Sequence, residues 1–113
     1  MKTAAKLFVI VALTTSTAGA LAQNAQRGAE STKEFKAADM NMMKGMESVP
    51  YTGNPDVDFR THMIPHHEGA IAMAKVALKN ANDAETKSMA QQIIDQQAKQ
   101  VADMQVWLKK HSH

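Results

Sequence analysis

Apolar residues recur every three to four positions through three long stretches of this chain, and helix-start and helix-stop chemistry brackets each one. The first stretch puts Phe35, Met42, Met43 and Met46 on one face. Ser31-Thr32-Lys33-Glu34 has the capping-box spacing just ahead of it, so a helix is predicted from there to about Glu47. Pro, Gly and Asn make residues 48–54 a loop. Asn54 then reads as an N-cap, with Pro55 at the first helical position and Asp56 and Asp58 near the positive helix end. This second helix is predicted to reach about Asn80, with Pro65 kinking it from inside. Asn82-Asp83-Ala84-Glu85 opens a third helix that runs to about Lys110. Its apolar face carries Met89, Ala90, Ile93, Ile94, Val101, Met104, Trp107 and Leu108. Strand periodicity is absent. The expected fold is all-α: a small antiparallel bundle of three main helices, of the ferritin-like or four-helix-bundle type, which self-association into a homodimer would complete.

The amino terminus reads differently. Met1-Lys2-Thr3-Ala4-Ala5-Lys6 is basic, an apolar segment follows, and Ala20-Leu21-Ala22 resembles a cleavage site. Residues 1–22 are therefore expected to be a signal peptide, and the apolar segment is too short to span a bilayer comfortably. A polar leader, expected to be disordered, covers 23–30, the bundle domain 31–110, and a His-containing tail 111–113. Loss of Lys2 and Lys6 takes the 13 basic residues to 11, against 11 acidic ones. The basic balance thus belongs to the targeting segment, and no nucleic-acid partner is expected. The expected location is periplasmic or secreted, in a bacterium.

The chain has no cysteine, so disulfides and thiolate metal sites are excluded. It has nine methionines against three phenylalanines, one tryptophan and one tyrosine. A core built for packing alone leans on Leu, Ile, Val and Phe, although methionine is also an adaptable core filler. The densest chemistry is the run Met63-Ile64-Pro65-His66-His67, with His62 before it and Met73 after it. On a helix, His62 with His66 and Met63 with His67 are i, i+4 pairs. Each is half a coordination sphere that needs ligands from a neighbour. Met42, Met43 and Met46 on the first helix and Met104 on the third are the candidates, with Trp107 one turn beyond Met104. Soft thioether favours Cu(I), and imidazole accepts either copper state. The expected ligand is copper, Cu(I) before Cu(II) or Ag(I), held by His62, Met63, His66, His67, Met73, Met42, Met43, Met46 and Met104.

Enzyme motifs fail on spacing. His67-Glu68 is followed by Ile71 where a zinc protease needs a second histidine, and no Glu-x-x-His occurs to build a di-iron bundle. Covalent haem needs cysteines. Noncovalent haem stays open, as does a non-metal module whose Met-rich face grips a partner helix. The protein is expected not to be an enzyme.

Asp58-Phe59, Met63-Ile64-Pro65-His66-His67 and Ala70-Ile71-Ala72-Met73-Ala74 resemble the signature of the domain-of-unknown-function 305 family, which includes CopM-like periplasmic copper-binding proteins. Ala90, Ile93, Gln97, Met104, Trp107 and Leu108 are similar to its closing helix. The resemblance implies an exported helical bundle that binds copper or silver for resistance, sequestration or metal transfer, with a periplasmic copper donor or acceptor protein as the expected partner. It carries Met63, His66, His67, Met73 and Met104 over as functional. Gln100 departs from a position where the family often has glutamate, and His62 stands at one that is commonly small.

Overall fold

A computed structural model describes residues 17–111. Three helices make up a small all-α bundle: α1 (Thr17–Glu47), α2 (Pro55–Asn80) and α3 (Ala84–His111). The predicted starts of α2 and α3 hold. The Asn54 side chain accepts from the backbone N–H of Asp56 at 3.0 Å, and Pro55 opens α2 where its missing N–H costs nothing. Asp83 caps α3, its carboxylate accepting from the N–H and the hydroxyl of Thr86, both at 2.8 Å. Those two bonds hold the Asp83 carboxyl below its ordinary pKa.

The first helix departs from expectation. Ser31 does not cap it, and residues 23–30 are helical rather than a frayed leader. Ala, Gln, Arg and Glu in that stretch are good helix formers, so the helix propagates through it. The Ser31 and Thr32 hydroxyls donate back to the Gly28 carbonyl at 3.0 and 2.8 Å, a bond available only once the helix already exists upstream. The expected signal peptide lies mostly outside the described residues; its last six, from Thr17, belong to α1.

Contacts between elements set the topology. Glu34 pairs with Lys79 at 2.7 Å, Met42 lies over Gly69, and Gly45 approaches Pro65, so α1 and α2 are antiparallel. Arg60 meets Trp107 and His67 meets Gln100, so α2 and α3 are antiparallel as well. Among the described residues α1 and α3 both pack on α2 and their backbones do not approach each other. The bundle is therefore open on one side of α2. Residues 17–30 run past the end of α2 and are exposed throughout, a projection of about 21 Å at the α-helical rise.

Close approach of α1 and α2 depends on small residues. A Cβ placed on Gly69 would sit 2.5–2.6 Å from Met42 side-chain atoms, and one on Gly45 would lie 3.0 Å from the Pro65 ring. Pro65 stays inside an unbroken α2, where it withholds a hydrogen bond but lends a flat surface to α1. The buried apolar side chains among the described residues are three alanines, Ala38, Ala74 and Ala90.

Candidate metal centre

Two recesses flank the amino-terminal half of α2. The larger, about 450 Å³, is lined by Met46 from α1, Tyr51 from the loop, and Asp58, Phe59, His62, Met63 and His66 from α2. The second, about 310 Å³, takes Phe59, Met63 and His67 from α2, and Gln100, Asp103 and Met104 from α3. Met63 belongs to both. At ~100° per residue His62 and His66 turn toward α1 and His67 toward α3, while Met63 falls between them.

The loop holds the first recess in shape. Asp58 Oδ1 accepts from the N–H and hydroxyl of Thr52 at 2.8 and 2.7 Å, and Oδ2 accepts from the N–H of Gly53 at 3.0 Å. Gly53 has a φ of 86°, a left-handed conformation that glycine adopts without strain. The Thr52 N–H and hydroxyl, then the Gly53 N–H and the nearby His62, hold the Asp58 carboxyl below its ordinary pKa. With the loop clamped, the Tyr51 ring stacks on His62, centroids 4.1 Å apart.

Hydrogen bonds choose the histidine tautomers. His62 Nδ1–H donates to the Asp58 carbonyl at 2.8 Å, which leaves the lone pair on Nε2. His67 does the reverse: Nε2–H donates to Gln100 Oε1 at 2.7 Å, leaving the lone pair on a buried Nδ1 that has no hydrogen-bond partner. Gln97 Oε1, on the same α3 face, is also buried and unpaired. A buried acceptor without a partner costs about 1–3 kcal/mol, so both atoms call for an electron-pair acceptor. His66 is exposed, its ring 6.0 Å from that of His67.

The nine candidate ligands thus divide. Met46, His62, Met63 and His66 meet in one recess, and Met63, His67 and Met104 in the other. Met42 is taken up by packing on Gly69, Met43 points away at 56% exposure, and Met73 lines an apolar groove farther along α2. Trp107 serves another purpose: Arg60 sits 3.8 Å over its ring and His111 stacks on it at 4.0 Å, which locks the register of α2 against α3. Tyr51, Asp58 and Gln100 are the contributors that pattern reading of the helices did not find. An acidic residue one turn into α2, preceded by a glycine-bearing loop whose N–H groups it can accept from, was the available signal for Asp58.

Among the described residues no three His, Asp or Glu side chains cluster to hold an ion. A site here needs sulfur. A family model described as "Domain of unknown function (DUF305)" matches residues 56–113, just over half of the chain. The protein belongs to the DUF305 family. No curated protein matches it. The DUF305 segment takes in nearly all of α2 and the whole of α3, and so contains the complete second recess. Met46 and Tyr51 lie outside it, so the first recess joins residues of the DUF305 segment to a wall contributed by α1 and the loop.

Proposed function

We propose that this DUF305 protein is an exported copper-binding protein that takes up Cu(I), with Cu(II) or Ag(I) as alternatives, and works in sequestration, resistance or transfer rather than catalysis. The observation that carries this reading is the convergence of Met46, His62, Met63 and His66 on one recess, beside a second Met/His set that shares Met63. Thioether and imidazole without a carboxylate cluster suit a soft monovalent cation and poorly suit hard divalent ions. The tautomers are appropriate too, since a backbone carbonyl and an amide oxygen each take one ring proton and leave the other nitrogen basic. Met46 and Met63 would supply sulfur in the larger recess, and His62 and His66 imidazole. Copper would bring no reaction step; the chain's part is to hold it.

Export follows from the basic-apolar-small pattern of the first 22 residues, which also fits a thioether site working where free thiols are oxidised. The test is anaerobic titration against a Cu(I) chelator. The wild type is expected to compete for the metal, and a variant with Met63, His66 and His67 all replaced by alanine is expected to lose at least about tenfold in affinity. Equal competition by both proteins defeats the reading.

A further inference from the structure

The face of α2 left open between α1 and α3 bears a continuous stripe: Phe59, Met63, His66, Ala70, Met73 and Ala77. The spacing is alternately four and three residues, a 3.5-residue repeat, and at ~100° per residue all six fall within about 80° of arc. Of the charged positions of α2, Glu68, Lys75 and Lys79 lie on the opposite side, while Asp56, Asp58 and Arg60 flank the stripe at its amino-terminal end. At its carboxyl-terminal end the stripe forms the floor of a groove of about 280 Å³, walled by Phe35 from α1 and by Met89 and Ile93 from α3. That groove carries no charged side chain.

We propose that a second copy of this chain covers this face, the two open bundles pairing about a two-fold axis. Burial is the first support. A domain of this size needs apolar burial to offset chain entropy, yet among the described residues the buried apolar side chains are three alanines, and Phe59 and Met89 are each 61% exposed. This deficit belongs to folding itself, so whatever covers the face has to be present whenever the chain is folded. A second copy meets that condition by itself. Area is the second support. Covering Phe35, Phe59, Met63, Met73, Met89 and Ile93 together with the alanines between them removes on the order of 500 Å² per copy, about 1,000 Å² over the pair, which reaches the lower bound for a specific interface. The absence of charge along the groove is the third, because an isologous interface sets each patch against itself and like charges there would repel. The pairing stands on burial and holds whether or not a metal is bound. It also lays the partner over the exposed edge of His66 and Met63.

The chain has no cysteine, which makes the test direct. Ala70 lies near the middle of the stripe, where a two-fold axis brings identical residues together, and Lys75 is on the far side. Sedimentation equilibrium of the purified full chain, with a copper chelator present, is expected to give the mass of two chains. Ala70→Cys under mild oxidation is expected to cross-link as a dimer, and Lys75→Cys to remain uncross-linked. Ala70→Glu, which drives a charge into the stripe, is expected either to give single chains or to unfold. A single-chain mass for the wild type overturns the proposal. So does cross-linking through Lys75→Cys with none through Ala70→Cys, or an Ala70→Glu variant that keeps both the two-chain mass and the wild-type melting temperature. Because metal is withheld, a two-chain mass beside a failed copper titration removes the copper reading and leaves the pairing intact.

Discussion

Tyr51 lies flat against the imidazole of His62, with ring centroids 4.1 Å apart and planes 14° from parallel. The stack joins a loop residue to a candidate ligand on α2, and Asp58 makes it durable by accepting three hydrogen bonds from Thr52 and Gly53. The larger recess is therefore bounded by a wall that is neither helical nor inside the family segment.

The Asp58 clamp is expected to weaken in acid. Its folded-state pKa is lowered, so its stabilisation is present above the ordinary carboxylate value of 3.8 and is lost as pH falls through the lowered one. Asp83 at the cap of α3 follows the same rule, with the same sign. Thermal melts of wild type and Asp58→Asn are expected to differ near neutrality, with wild type the more stable, and to converge between about pH 5 and about pH 2. A gap that stays constant across that window would show that the carboxylate charge is not what holds the loop.

Met63 is the one thioether common to both recesses, whereas Met43 faces away from them. Leucine replaces methionine at nearly constant volume, so either Met→Leu change costs less than about 1.5 kcal/mol of stability. Cu(I) affinity is expected to fall at least about tenfold in Met63→Leu and to stay within about twofold of wild type in Met43→Leu. Chelator competition reads both; equal losses would mean that sulfur placement is irrelevant.

Gly69 is where α1 and α2 come closest, with Met42 Cβ and Cγ within 2.6 Å of where a Cβ would stand. Alanine there gains about 1 kcal/mol in helix propensity but overpacks the contact by about 1–3 kcal/mol. Because the obstructing atoms sit near the Met42 backbone and not only at its flexible tip, the overpacking is expected to win and lower the melting temperature. Gly28→Ala, where a Cβ meets nothing within 4 Å, is expected to raise helix content slightly. Circular dichroism melts of the two variants check both signs.

Most of the secondary structure was legible from local chemistry. Asn54-Pro55 and Asp83 announce the starts of α2 and α3 because a cap and its first turn are made within a few residues. Ser31 misled for the same local reason: a capping box is a strong signal, but helix-forming residues upstream outweighed it. The donor chemistry was legible too, since residue type alone supplies thioether and imidazole and the absence of cysteine excludes thiolate.

Which donors meet was decided by tertiary structure. Met42, Met43 and Met46 share a face by periodicity. Close packing at Gly69 and Gly45 nonetheless assigns Met42 to the helix contact, turns Met43 outward and leaves Met46 at the recess. Trp107 likewise goes to Arg60 and His111, a pairing that depends on the register of α2 against α3. By itself the sequence determined the helices and the ligand types, because capping, periodicity and donor chemistry act over a few residues. Grouping, tautomers and the open face of α2 arise between residues dozens of positions apart, where backbone approach and packing decide.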